Sequence, residues 1–283
     1  MQINRLILKN WRNFKAFDAR FQDVSYLLGP NASGKSNLLD VFRFLRDISK
    51  PKGGGLQSAV DDRGGIVKVR CLHARNDTEV LIDVRLSDDG DEGEESWRYV
   101  LGFKPEGKGA QRILVSREEV WEGEQRIINR PDDDDARDRA LLTQTRLEQI
   151  AANARFRKLA EFFGNITYLH LVPQLLKFSE QIGGNRLEND PFGQGFLDRI
   201  ARTSEKTRDA RLRKIGEALS LAVPHFRDLR FVRDEVGRPH LEAMYQHHRP
   251  KAGWQTEEQF SDGTLRLIGI LWSLLEGSSM LLM

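Results

Sequence analysis

Apolar and polar residues alternate along this chain in two rhythms. A two-residue rhythm dominates the first third. Residues 3–8 and 14–21 read as strands, and Val80, Ile82, Val84 and Leu86 set every second side chain on one face. Residues 97–103 and 112–121 continue that pattern, so a β meander is predicted, with the acidic stretch 88–95 as a solvated turn. Val67, Val69 and Cys71 alternate likewise and predict a further strand at 67–72. Residues 24–28, Val-Ser-Tyr-Leu-Leu, form a short apolar run that reads as a buried strand. A helical rhythm marks 37–48, 136–163, 195–201, 207–221 and 267–276. Residues 166–172 read as a buried strand ending at Pro173 and Gln174, and 226–232 with 241–245 as a hairpin. The Gly-, Lys- and Pro-rich stretch 49–65 predicts a mobile loop, and 179–190 another. Internal repeats and sustained heptads are not seen.

Composition narrows the picture. The 283 residues can bury a large core, and a net charge of +2 leaves no overall electrostatic footprint for nucleic acid. The helix at 207–221 carries Arg208, Arg211, Arg213 and Lys214, which reads either as a solvated face or as a local nucleic-acid contact. The four aspartates at 132–135 read as a helix N-terminus, where negative charge is favourable, with metal binding as the alternative. One cysteine, Cys71, excludes an internal disulfide and suits a reducing compartment; it reads as a core residue rather than a reactive thiol. Residues 1–9 read as a charged strand and not as a signal segment. The longest apolar run, 265–275, carries Arg266 and is too short for a bilayer. A soluble, cytoplasmic protein without a membrane partner is the expectation. Among the histidines, His240, His247 and His248 lack a completing cysteine or carboxylate set for zinc.

The chemistry concentrates at Gly29, Pro30, Asn31, Ala32, Ser33, Gly34, Lys35 and Ser36, which fit G-x-x-x-x-G-K-[ST]. Glycines let such a loop curl its N–H groups toward phosphates, Lys35 reaches the β- and γ-phosphates, and the Ser36 hydroxyl can ligate Mg²⁺. The helix expected to begin near Lys35 adds its positive end to the same anion site. A strand before and a helix after complete the context that this motif needs, and ATP or GTP binding follows. A second element lies at 260–266, Phe-Ser-Asp-Gly-Thr-Leu-Arg, where Ser261, Asp262, Gly263 and Thr264 open an apolar helix. Its plain alternative is an ordinary N-cap ahead of a buried helix.

Three stretches together carry a resemblance: 8–14 (Leu-Lys-Asn-Trp-Arg-Asn-Phe), the loop ending in Asn37, and 260–266. The chain resembles ABC-type ATPases of the RecF/SMC/Rad50 class, and more closely the stand-alone bacterial AAA-family (OLD/RecF-like) ATPases, including those found beside nucleases in anti-phage systems. The fold implied is α/β: a P-loop NTPase of ABC-ATPase type, a mixed sheet core with an antiparallel β lobe and a helical lobe. A single domain over 1–283 is expected, with 1–130 as P-loop core and β lobe, 131–260 as helical lobe and return strands, and 261–283 as signature helix and the start of the next core strand.

The resemblance also implies roles. Two protomers would sandwich ATP, the loop of one facing Ser261, Asp262, Gly263 and Thr264 of the other, in a homodimer that drives or licenses activity on DNA, with a nuclease partner, in repair or defence. The Asp at 262 departs from the usual Ser-Gly-Gly-Gln signature, which keeps its serine, one glycine and a helix N-terminus. Gln174 would help position Mg²⁺ and water, and Arg12 would approach the nucleotide; the alternatives are a loop glutamine and an exposed turn arginine. Lys35 and Ser261 lie more than 200 residues apart, which disfavours a transporter cassette. Residues 280–283, Met-Leu-Leu-Met, read as the apolar part of the strand that would end in the Mg²⁺-binding Asp and be followed by the water-polarising Glu. The expectation is therefore a piece of a longer ATPase, this chain alone being weak or inactive in hydrolysis. The competing readings are a module receiving the missing strand from another chain, and a non-hydrolysing ATP-gated scaffold or sensor.

Overall fold

The computed structural model describes residues 1–50, 52–74, 77–88, 95–107, 112–178, 190–246, 253–277 and 280–282. They form two compact units, Met1–Ile166 and Thr167–Met283.

The first unit is built on an antiparallel sheet. Its strands are β1 (Gln2–Trp11), β2 (Phe14–Arg20), β3 (Val80–Ser87), β4 (Trp97–Pro105), β5 (Ile113–Glu122) and β6 (Gln125–Arg130), in the order β2-β1-β3-β4-β5-β6. Val80, Ile82, Val84 and Leu86 are all fully buried, as their alternation predicts. Across the sheet they stand opposite Phe103, Leu101, Tyr99 and Trp97 of β4. Helix α1 (Lys35–Ser49) buries Leu38, Val41, Phe42, Phe44, Leu45 and Ile48. Phe44 lies between Trp11 and Phe103, with ring centroids 5.1 and 5.4 Å away, so α1 is fixed to β1 and β4 by aromatic packing.

Four predicted elements take another form in this unit. Residues 24–28 are not a strand, and Val24, Tyr26 and Leu28 are exposed. A strand needs a hydrogen-bonded neighbour, and none of the described strands pairs with this segment. The alternation at 67–72 belongs to a single helical turn, α3 (Ile66–Val69), entered through Gly65 at φ +89°. Val69 and Cys71 are buried there, while Val67 points to solvent. The stretch 49–65 is not all loop: it holds α2 (Leu56–Asp61).

The long helix expected at 136–163 is broken into α4 (Asp133–Arg137), two short 3-10 turns and α5 (Arg157–Gly164). Two carboxylates, one buried and one half-buried, explain the break. Glu118 accepts the N–H groups of Arg146 and Leu147, and Glu148 accepts that of Thr145, all donors that a continuous helix would spend on itself. Glu118 is in turn held by Arg130 at 2.9 Å, with both side chains buried. At 132–135, Asp132 caps α4 and Asp135 pairs with Arg130, so the aspartate run is a helix start.

The second unit packs α7 (Phe196–Arg202), α8 (Glu205–Ala222) and α9 (Asp262–Glu276) with the sheet β8 (Phe226–Arg233), β9 (Pro239–Tyr245) and β10 (Trp254–Thr256), ordered β10-β9-β8. The hairpin expected at 226–245 is there. Its core includes Leu212, Ile215, Leu219, Leu229, Leu241, Phe260, Leu265, Ile268 and Trp272. Of 166–172, only β7 (Ile166–Tyr168) is strand, in a two-stranded sheet with β11 (Met280–Leu282). Gln174 does not end that strand; it lies in the first turn of α6 (Pro173–Lys177), where Pro173 is suited to start a helix. The loop reading at 179–190, the acidic turn within 88–95, and His247 and His248 fall wholly or mostly outside the described residues. His240 bonds the buried carboxylate of Glu257 at 2.7 Å, a contact internal to the hairpin's surroundings.

Candidate nucleotide-binding site

The loop begins at Gly29 and ends where α1 begins, at Lys35. Gly34 caps the helix with φ +103°, a conformation open to glycine. A methyl group at Gly34 would collide with the carboxamide of Asn13 and the ring of Phe14, so the loop passes tight against the β1–β2 corner. Asn13 donates to the Ser33 carbonyl at 3.3 Å and accepts from the Asn37 side chain at 2.9 Å. Trp11 donates its indole N–H to the Asn37 carbonyl at 2.8 Å. Trp11 and Asn13 of the corner therefore hold both ends of the loop's last turn. The Lys35 ammonium donates to the carbonyls of Gly29 and Pro30, at 2.7 and 2.8 Å, which folds it back across the loop. Asn31, Ala32 and Ser33 are exposed at the crest, and Ala32 has φ +64°.

The first turn of α1 carries no acidic residue. Its leading N–H groups have no intrahelical acceptors, so this end offers an anion oriented donors and a positive dipole end. Ser36 is exposed, and its hydroxyl is engaged by no partner among the described residues. One neutral oxygen beside a phosphate site fits Mg²⁺, which keeps several waters and takes few protein ligands. Among the described residues no cluster of three His, Cys, Asp or Glu side chains forms a metal site by itself.

Arg12 is committed elsewhere than the loop. From a backbone at φ +47° its guanidinium donates to Asp40 Oδ2 on α1, at 2.9 and 2.5 Å. Arg63 donates to the same oxygen at 3.0 Å and to Asp47 Oδ2 at 3.0 Å. Burial alone would raise the Asp47 carboxyl, but Arg46 and Arg63 beside it hold it below its ordinary value.

In the second unit, Ser261 caps α9. Its Oγ accepts the Thr264 N–H at 3.1 Å and lies 2.9 Å from the Thr264 hydroxyl. Ser261, Asp262 and Gly263 are exposed and Thr264 is buried. A side chain at Gly263 would meet only Ser261 Oγ, at an ordinary 3.8 Å. Packing among the described residues thus gives no reason for glycine in this first helical turn. Gln174 meets the same turn: its Nε2 lies 3.4 Å from Asp262 Oδ2, and Lys177 Nζ lies 3.3 Å from Oδ1.

Asn13, Asp40 and Lys177 are the residues that sequence reasoning left without a role. Asn13 sits inside the stretch 8–14 that carried the resemblance, and Lys177 stands three residues after Gln174 on one helix face, so a signal for each was present.

The loop, the helix that follows it and the α/β fold fit a P-loop NTPase. The chain belongs to the family described as "AAA domain, putative AbiEii toxin, Type IV TA system", whose profile matches residues 24–283. A stretch of 41 residues is 46% identical to the DNA replication and repair protein RecF of Lacticaseibacillus casei (strain BL23), and equally to that of Lacticaseibacillus paracasei (strain ATCC 334). That stretch is 14% of this chain and 11% of each relative's length. Solved structures of the recombination mediator protein RecF of the RecFOR pathway, as RecF-ATPrS and RecF-ATP, align over 97% of this chain and 80% of theirs. Their identities are 15% and 14%, with TM-scores of 0.35 and 0.34. Among the described residues no helix is long and apolar enough to cross a membrane.

Proposed function

We propose that the chain binds ATP at residues 29–37 and serves as the ATPase domain of a RecF-like protein acting on DNA. The observation that carries this reading is the loop itself. It curls onto the start of α1 with Lys35 held across it by two loop carbonyls, so the ammonium is already placed where phosphate oxygens would replace those acceptors. Lys35 and the N–H groups of Gly34, Lys35 and Ser36 hold the phosphates, and Ser36 holds Mg²⁺. Bound Mg²⁺ would offset charge on the phosphate oxygens. Gln174 joins the site once its carboxamide leaves Asp262.

Two copies close on two ATP molecules, with Ser261, Asp262, Gly263 and Thr264 of one facing the loop of the other. The open space at Gly263 supports this, since no contact among the described residues calls for glycine there and a bare backbone lets an anion approach closely. Closing and reopening drives a partner on DNA. The 41-residue stretch that is 46% identical to RecF proteins of DNA replication and repair supports DNA as the target, and the partner proposed is a nuclease.

Lys35→Ala tests the assignment. Filter binding of ATPγS is expected to vanish in the variant, and retained tight binding would overturn it. Steady-state phosphate release by the natural protein then decides between turnover and a gate that binds without hydrolysis.

A further inference from the structure

The proposed signature turn has a chemical difficulty. Asp262 puts a carboxylate in the first turn of α9, on the residue next to Ser261, where a γ-phosphate would approach. Two anions in neighbouring positions repel, and a carboxylate in the first turn also competes for the dipole that should serve the phosphate. The structure shows how the charge is handled. Lys177 Nζ lies 3.3 Å from Asp262 Oδ1 and Gln174 Nε2 lies 3.4 Å from Oδ2, so each carboxylate oxygen faces its own donor on α6. Asp262 is half exposed, whereas the Lys177 side chain is 14% exposed, so the cation is the fixed partner and the anion is drawn to it. Gln174 and Lys177 are three residues apart on one short helix, whose Pro173 and Leu176 are buried and anchor it.

We infer that Lys177 is a positioning residue for the nucleotide site: together with Gln174 it holds the Asp262 carboxylate against α6 and neutralises it, leaving Ser261 and Gly263 free to meet phosphate. This inference rests on the ATP-sandwich reading and adds to it a residue outside the loop and the signature turn. It also gives Gln174 a second partner, so that a glutamine drawn toward the nucleotide leaves Lys177 as the remaining restraint on Asp262.

A charge cycle on the whole chain tests it, using ATPγS with Mg²⁺ as probe and sedimentation to read self-association. Lys177→Ala is expected to weaken ATPγS-dependent association about fivefold, the scale of one partly exposed ion pair. Asp262→Asn is expected to tighten association, because the charge that repels phosphate is removed. The double variant, Lys177→Ala with Asp262→Asn, should recover the wild-type value, because the uncompensated charge is gone. Lys177→Arg should also behave as wild type. A purely structural role for Lys177 would instead lower the thermal midpoint, and Asp262→Asn would not rescue it. Equal association by wild type and Lys177→Ala, or losses that add in the double variant, would overturn the inference. Wild type that binds no ATPγS would overturn the ATP reading and this inference with it. Wild type that binds ATPγS and stays monomeric would sink the sandwich, and again the role given to Lys177, while leaving nucleotide binding in place.

Discussion

Arg12 and Asp40 are joined by two hydrogen bonds to one carboxylate oxygen, and Arg63 donates to that same oxygen from the turn after α2. The Asp40 residue is 6% exposed, so its charge is balanced by protein and not by water. Through it the β1–β2 corner, α1 and the residues after α2 are tied together immediately behind the nucleotide loop.

Asp40→Asn should therefore destabilise the first unit and loosen the loop at once. The substitution leaves the Arg12 guanidinium without its anion and Arg63 with Asp47 alone, a loss of about 3 kcal/mol by the scale for stripping one partner from a largely buried ion pair. Urea unfolding of the whole chain should show a lowered midpoint, and ATPγS affinity should fall in the same variant. An unchanged midpoint would mean that the arginines find other acceptors and that the tie is weak.

Glu148 gives the stability a pH dependence of unusual sign for a carboxylate. Burial, together with the nearby Glu118 charge, pushes its pKa up to about 7, against the opposing hydrogen bonds from the Leu56 and Thr145 N–H groups. Its carboxyl thus holds a proton more tightly in the folded chain than in the unfolded one. That contribution is fully present below the ordinary carboxylate range and is lost as pH rises through about 7. A shift of this size corresponds to roughly 3 kcal/mol. The check is the difference between wild type and Glu148→Gln in urea midpoints from pH 5 to pH 8. Wild type should lose stability relative to the variant as pH rises. A flat difference would show that Glu148 is ionised throughout. Asp47 and Asp135, held below their ordinary values by arginines, contribute the opposite slope at acid pH in both proteins and cancel in the difference.

What was legible in the sequence was whatever is decided by neighbours close along the chain. The alternation at 80–86 survives because each of those side chains is fully buried in a paired strand. The loop and helix at 29–49 are likewise local: glycine, lysine and an amphipathic stretch in fixed order. Residues 24–28 were misleading because apolar composition measures the wish for burial, and a strand also requires a neighbour, which no local pattern supplies. The helix at 136–163 failed for a related reason. The carboxylate of Glu118, on a strand more than twenty residues earlier, takes the N–H groups of Arg146 and Leu147, and nothing near 146 in sequence announces that. The partners of Asp262 are more distant still, at Gln174 and Lys177, so a departure from the usual signature could be read from the sequence while its compensation could not.

Gly34 offers the sharpest test of how the loop is built, because two separate constraints meet there. Its φ of +103° lies outside the region that residues with side chains adopt readily, and strain of this kind costs about 1–3 kcal/mol. Independently, an added methyl group would strike the Asn13 carboxamide and come within 2.9 Å of Phe14 Cζ. Gly34→Ala should then lower the thermal midpoint and reduce ATPγS affinity by at least about tenfold, since relief of the clash must displace the residues that carry the phosphate-facing N–H groups. Asn13→Ala alone removes the hydrogen bond to Ser33 and the one from Asn37, and should weaken binding more modestly. The two changes together separate the constraints. If collision with Asn13 dominates, the double variant binds better than Gly34→Ala; if backbone strain or the Phe14 contact dominates, removing Asn13 restores nothing and its own loss is added. Wild-type affinity in Gly34→Ala would mean that the loop reaches its phosphate-binding form without the corner, and that Asn13 plays no part in shaping the site.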